Sequence, residues 1–255
     1  MTPQPQPLGR DLLDRNRSYY DLLWSDASLI EPQRFNTWPL VQSLLPTAWR
    51  RLEVAPGLRP RLPLLGTQFV DISAPAAAKL RARGAQCIVA EATKLPFARG
   101  TFDLVCALDV VEHVDNDEGV VAELARVTRG GGCLLISAPL HPERWTSFDT
   151  IVGHRRRYEP QRLLEMLSRH ELCVERTAVF GMQPNSRLVG IGMWWLLNHR
   201  ERAMWWYNRV FMRIGLRFQK RLQFAEGMLT GDNVDEVLLV CRNAGDRHAP
   251  RDPRL

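Results

Sequence analysis

Four acidic residues stand where short apolar runs end: Glu53 in RLEVAPG, Asp71 in TQFVDIS, Glu91 after QCIVA, and Asp109 in TFDLVCALDV. A carboxylate beside an apolar core must be solvated or paired. An ordered series of them at the ends of successive runs therefore asks for a polar ligand. A nucleoside accounts for the set. Asp71 would accept from both ribose hydroxyls. Glu91 would accept from an adenine amino group, with Ala92 leaving room for the ring. Gly57 would let backbone approach the ligand closely. Glu53 would attract a cationic amino-acid moiety, directly or through water. Any one of these carboxylates, taken alone, is equally well a helix N-cap or a loop salt bridge. The succession is what points to a site.

These positions matter because of the elements that carry them. Apolar runs at 51–55, 67–73, 86–90, 101–110, 132–139, 171–181 and 234–243 alternate with helical stretches at 75–84, 117–131 and 160–170. Continuous apolar runs separated by helices predict a parallel sheet buried on both faces. The expected fold class is α/β: a doubly wound, mostly parallel seven-stranded sheet, with 171–181 and 234–242 as an antiparallel edge pair. In such sheets ligands bind beyond the carboxyl ends of the strands, where the four carboxylates fall. Residues 1–48 are expected to be a disordered lead and a helical cap, 49–243 the main domain, and 244–255 a disordered tail. A helical lid insertion is expected at 182–233.

Composition sets the outer limits. The chain has 255 residues, 45% of them hydrophobic, which suits one α/β domain with appended segments and excludes wholesale disorder. No basic segment followed by an apolar run opens the chain. The longest apolar stretch, Val189 to Leu197, is far short of the roughly 20 residues of a membrane span. Five cysteines without ligand or CxxC spacing read as reduced core thiols, so a cytoplasmic location is expected. The formal charge is +6, and only Lys79, Lys94 and Lys220 among the 34 basic residues are lysines. Two readings stay open: codon bias, or an anionic partner gripped by guanidinium groups. A nucleic-acid partner is not expected.

The run IVAEATKLPFARGTFDLVCALDVVEHV, with ELARVTRGGGCLLISAPLHP and DTIVGHRRRY after it, resembles class I S-adenosylmethionine-dependent methyltransferases of the ubiquinone/menaquinone-biosynthesis-like group. The resemblance covers about residues 49–181. It implies a Rossmann-like methyltransferase fold, S-adenosylmethionine as cofactor, and methyl transfer to a small molecule, on oxygen or carbon. The implied cofactor-binding residues are Glu53, Ala55, Gly57, Asp71, Ile72, Glu91, Ala92, Asp109 and Val110. The first motif departs from the family. Its acidic-x-Gly-x-Gly-x-Gly pattern is Glu53-Val54-Ala55-Pro56-Gly57-Leu58-Arg59 here, and only the central glycine survives. Ala55 keeps a backbone contact if its φ is negative. Pro60 and Pro63 predict that the following helix is short or absent. Arg59 is a candidate to pair with the methionine carboxylate.

Methyl transfer from a sulfonium needs a positioned nucleophile and exclusion of water. A base is needed where the acceptor loses a proton. His113 and His154 are the catalytic candidates, and Arg157 and Tyr158 of the GHRRRY segment are candidates to bind an anionic acceptor. Asp109, Glu112 and His113 fall at i, i+3 and i+4, a spacing that also suits a divalent ion; no metal is expected, because the spacing is ordinary in metal-free proteins. Trp194-Trp195, Trp205-Trp206 and the arginines Arg202, Arg209, Arg213 and Arg217 suggest a lid, or a peripheral membrane contact through 193–222 for a lipid-like acceptor. A nicotinamide oxidoreductase would need G-x-G-x-x-G where PGLRPR stands. A cofactor-binding module without turnover remains the alternative.

Overall fold

The computed structural model describes residues 20–21, 23–25, 27–181, 206, 210, 212–229, 231 and 234–245. Eight strands form one mixed sheet: β1 (Arg51–Val54), β2 (Thr67–Asp71), β3 (Gln86–Val89), β4 (Phe102–Ala107), β5 (Thr128–Pro139), β6 (Leu172–Val179), β7 (Phe224–Glu226) and β8 (Glu236–Asn243). Their order is β3-β2-β1-β4-β5-β8-β6-β7. The first five pair in parallel, and β8 runs antiparallel between β5 and β6. The chain therefore reverses direction in strand order at β1, which opens the crevice where ligands enter such sheets.

The expected seven strands become eight. β7 lies within 182–233, where only helix was expected, and pairs antiparallel with β6 through Arg176–Glu226 and Ala178–Phe224. So β6 and β8 pair as expected, but β8 is internal and β7 forms the edge. β5 begins at Thr128 rather than at residue 132, and Gly130, Gly131 and Gly132 belong to it instead of closing the preceding helix. Its pairing with β4 shifts register there, from Phe102↔Thr128 to Leu104↔Cys133. Glycines tolerate that local bend.

One face of the sheet is covered by α3 (Asp117–Val127) and α5 (Pro160–Arg169). α3 buries Val120, Val121 and Leu124, and α5 buries Leu163 and Leu167, against Leu134, Ile136 and Leu239. The spacing of these side chains is the helical i, i+3/i+4 stripe. The opposite face is covered by α1 (Trp38–Leu44) through Leu40 and Val41, together with Leu62 and Phe180. No helix stands between β1 and β2, as the prolines predict. The loop there instead buries Leu58 and Leu62 completely. α2 (Ala74–Ala82) packs Ala76, Ala77 and Leu80 against Phe69 together with Leu23 and Trp24, which precede the sheet. α4 (Ser147–Val152) lies in the segment after β5, and α6 (Met212–Arg217) precedes β7. No described helix is long and apolar enough to cross a membrane. Trp194, Trp195, Trp205, Arg202 and Arg209 lie outside the described residues, as do the expected disordered lead and most of the tail.

Candidate active site

At the carboxyl end of β1, Glu53 is buried and its carboxylate accepts from the Arg61 N–H (2.8 and 3.0 Å) and the Leu62 N–H (2.8 Å). It closes the loop that stands in place of a helix. Burial pushes its pKa up to about 7, although those N–H groups and the Arg61 charge oppose the rise. Asp71, at the end of β2, is also buried. It accepts from the Gly57 N–H (2.8 Å) and the Ser73 N–H (2.8 Å), and burial raises its pKa to about 6. One carboxylate thus bridges the two turns that flank the expected ribose position. Ile72, Glu91 and Ala92 are half-buried beside this edge, and Val110 belongs to the core below it.

The loop backbone answers the question of its missing glycine. Ala55 has φ 54°, so the condition of a negative φ is not met. Its N–H still bonds the Val70 carbonyl at 2.7 Å. The chain keeps a glycine-like turn with a Cβ in it, a conformation that costs of order 1–3 kcal/mol. Ala55→Gly is therefore expected to stabilise the fold by about 1 kcal/mol, read as a higher urea midpoint with an unchanged slope. A lower midpoint would show that the turn is not strained. Gly57 also has positive φ, and a Cβ there would lie 2.1 Å from the Trp24 ring. Trp24 covers this loop. It is fixed by its own main chain: Lys79 Nζ donates to the carbonyls of Trp24 (2.9 Å), Ser25 (2.5 Å) and Ala27 (2.9 Å).

Asp109, at the end of β4, has φ 58°. Its N–H donates to Ser137 Oγ (2.7 Å), and the same hydroxyl donates to Asp109 Oδ1 (2.9 Å). Glu236 opens β8 beside it. Burial, the Asp109 charge and a hydrogen bond between the two carboxyls push its pKa well up. Arg61 is the cation of this corner. Its guanidinium lies 3.9 Å from the Phe35 ring centre and feels the charges of Asp109 and Glu53. Arg59, the sequence candidate to pair with the methionine carboxylate, lies over the Trp24 ring at 5.2 Å. Arg61 is not marked out in the sequence, because nothing in PGLRPR distinguishes a half-buried arginine from a solvated one.

The two candidate histidines come together. His113 follows β4 in a short turn, Val111–His113, and His154 follows α4. The Arg155 N–H bonds the Glu112 carbonyl (2.7 Å) and joins the two segments. The rings lie edge to face at 4.8 Å. His113 Nδ1 sits 3.3 Å from the Gly153 carbonyl, and His154 Nδ1 sits 2.9 Å from Asp149 Oδ1. Both partners accept only, so each Nδ1 carries the hydrogen and each Nε2 presents a lone pair. Glu112 Oε1 is 4.0 Å from each Nε2. Burial lowers His113 to about 4 and pulls His154 down as well, so both are neutral near pH 7. Burial and Asp109 push Glu112 well up.

Asp149 organises this corner. It is fully buried and accepts from Arg157 Nε (2.8 Å) and Nη2 (3.0 Å), the Thr146 N–H (2.8 Å) and hydroxyl (2.8 Å), and His154. Burial alone would raise its pKa, but these donors hold it down at about 2. The residue was not singled out in sequence, although Thr146-x-x-Asp149 is a legible capping box. The same contacts place the expected acceptor-binding pair. Arg157 gives its third donor, Nη1, to the Leu140 carbonyl at 3.2 Å, and Tyr158 donates its hydroxyl to Asp117 at 2.9 Å. Arg155 and Arg156 pair with Asp115 (3.7 Å) and Asp117 (2.8 Å). The basic run is matched by protein carboxylates. Among the described residues Glu112, His113 and His154 are the one cluster with metal-type donors, all within 4.8 Å of one another. His154, rather than the Asp109 of the i, i+3, i+4 spacing, completes this grouping. Metal bonds of about 2.1 Å would place tetrahedral ligands about 3.4 Å apart, closer than the 4.0 Å from Glu112 to each histidine.

Residues 64–136 match the family model described as a methyltransferase domain. That is the domain of S-adenosylmethionine-dependent methyltransferases, and it spans β2 to β5 with the Asp71 and Asp109 edges. A norajmaline N-methyltransferase of Rauvolfia serpentina is 38% identical over 53 residues, 21% of this chain and 18% of that enzyme, so the chain matches under a fifth of that curated relative. Two solved structures share the fold over most of this chain. One is a Thermotoga maritima protein described as an S-adenosylmethionine-dependent methyltransferase, possible histamine N-methyltransferase; TM-score 0.55, 15% identity, 91% of this chain and 99% of that one. The other is phosphoethanolamine N-methyltransferase 2 of Haemonchus contortus, in complex with phosphomonomethylethanolamine and S-adenosylhomocysteine; TM-score 0.54, 17% identity, 95% of this chain and 61% of that one.

Proposed function

We propose that the chain binds S-adenosylmethionine at the β1–β2–β4 edge and transfers its methyl group to a small molecule whose attacking atom gives up a proton. The single observation that carries this reading is the His154–Asp149 pair at 2.9 Å, set beyond β5 on the carboxyl side of the sheet that carries Asp71 and Asp109. The cofactor supplies an electrophilic methyl on a sulfonium. Asp71 would hold the ribose, Glu91 the adenine amino group, and Arg61 the methionine carboxylate. His154 Nε2 would take the acceptor's proton. Oxygen and carbon acceptors, as expected above, fit when they carry an acidic proton, and nitrogen fits equally. The finer kinship with the quinone-pathway group rests on the LPF-to-EHV residues. A lipid-like acceptor met at a membrane through 193–222 is supported by the exposure of Ile214 and Phe218.

The alternative is a module that binds the cofactor without turnover. The loss of two motif glycines favours it. Calorimetric titration with S-adenosylmethionine tests both readings. Saturable binding is expected, and Asp71→Ala should weaken it by about 1–3 kcal/mol. Preference for NADH, or an unchanged affinity in folded Asp71→Ala, would overturn the assignment of this edge. Cofactor binding with no methyl transferred to any co-purified small molecule would favour the module.

A further inference from the structure

The excess positive charge of the chain is not spread along it. Its 34 basic and 28 acidic residues leave +6, and residues 202–225 hold six basic residues (Arg202, Arg209, Arg213, Arg217, Lys220 and Arg221) and no acidic one. The remainder of the chain is therefore balanced. A bias toward arginine codons acts on the whole chain and gives no reason for the excess to gather in one segment.

The described part of that segment joins the charge to apolar surface. Ile214 and Phe218 are 48% and 79% exposed. The Phe218 N–H bonds the Gly215 carbonyl at 3.1 Å, so the last turn of α6 carries through to the ring. Residues four apart on such a turn share a side. Arg217, Lys220 and Arg221 are exposed in the same stretch. Its far end is fastened to the domain. Gln219 Oε1 accepts from the Asn36 N–H (2.6 Å), Asn36 Nδ2 donates to the Lys220 carbonyl (2.9 Å), and Leu222 and Phe224 pack on the cluster of Leu40, Val41 and Phe180. Asn36 follows Phe35, whose ring meets the Arg61 guanidinium at 3.9 Å. The exposed stretch is thus tied to the Arg61 corner. Large apolar side chains left in water beside cations mark an interaction surface. Nucleic acid and an anionic bilayer would both take the cations. A nucleic acid uses cations at phosphates and aromatic rings under bases, which gives Ile214 no role. A bilayer interface uses every part: the apolar tips enter the acyl boundary and the basic side chains meet the headgroups.

We propose that Ile214, Arg217, Phe218, Lys220 and Arg221 dock the chain on an anionic phospholipid bilayer and hold the Arg61 corner at the lipid surface. The inference deepens the reading of a lipid-like acceptor, and it rests on the methyltransferase reading for what the docking serves. An apolar acceptor dissolved in the bilayer then reaches the site without crossing water. The contact itself needs no cofactor, because none of the five residues belongs to the β1–β2–β4 edge.

The test is co-sedimentation of the full-length chain with vesicles of phosphatidylcholine, alone or with about one-third phosphatidylglycerol. Binding to the mixed vesicles is expected to be at least about ten-fold tighter and to weaken as salt screens the charges. Arg217→Glu, Lys220→Glu and Arg221→Glu together should lower it at least about ten-fold. Ile214→Ser with Phe218→Ser should lower it about as much, while the preference for anionic vesicles stays. Both variants should keep wild-type affinity for S-adenosylhomocysteine by calorimetry. If either fails to fold in urea titration, Phe218→Ser alone and the salt series on the wild type carry the test. Wild type left in the supernatant at low salt, no preference for anionic vesicles, unchanged binding in the charge variant, or capture of polyuridylic acid in preference to mixed vesicles would each overturn the proposal. A chain that sediments with anionic vesicles but takes up no S-adenosylhomocysteine keeps the docking face and loses the methyltransferase assignment. A chain that takes up S-adenosylhomocysteine and stays in the supernatant loses the docking face alone.

Discussion

His154→Ala is expected to lower kcat about 10²–10⁴-fold, the usual contribution of a general base, with S-adenosylmethionine affinity little changed. The reason is geometric. Asp149 fixes the tautomer that leaves Nε2 as the basic nitrogen, and burial keeps the ring neutral so that it can accept a proton. His113→Ala should cost less. Its Nδ1 is held only by a carbonyl at 3.3 Å, and burial takes it down to about 4, a poor base near neutrality. Single-turnover methyl transfer to the identified acceptor, beside a cofactor titration, separates the two effects. Near-normal turnover in His154→Ala would mean that solvent takes the proton and that this segment is structural.

Much of the edge was legible because it is local. Glu53, Asp71 and Asp109 end apolar runs, and the run itself marks where a strand delivers a side chain. The absence of a helix after β1 was legible for the same reason, since Pro60 and Pro63 act on their own backbone. What was not legible depends on contacts far apart in sequence. β7 has three residues and no periodicity of its own, and only pairing with β6 makes it a strand. Arg61 looks like any basic loop residue until Phe35 and Phe180 close over it. Arg157 reads as a candidate to bind an anionic acceptor, yet its charge is matched by Asp149 eight residues earlier. Ala55 gave the clearest limit. The sequence showed a glycine replaced, and the structure showed that the backbone kept the glycine conformation regardless.

Asp149→Ala is expected to destabilise the fold by about 3–5 kcal/mol, the cost of leaving one partner of a buried ion pair uncompensated. Arg157 is 7% exposed and gives two of its three bonding nitrogens to this carboxylate. Removing Asp149 strands that charge and also releases Thr146 and His154. Arg157→Met should cost less, because Asp149 keeps the Thr146 and His154 donors. The double variant should recover part of the Asp149→Ala loss, since no buried guanidinium is then unpaired. The pH dependence follows with its sign. The folded pKa of about 2 lies below the reference value of 3.8, so this carboxylate's stabilisation is present above about pH 4 and is lost as pH falls towards 2. Asp149→Asn should therefore flatten the acid limb of the stability profile relative to wild type. Urea unfolding at neutral and at acidic pH measures both effects. A loss below about 1 kcal/mol for Asp149→Ala, with no recovery in the double variant, would show that solvent reaches the pair, and His154 would then lack the fixed tautomer its catalytic role requires.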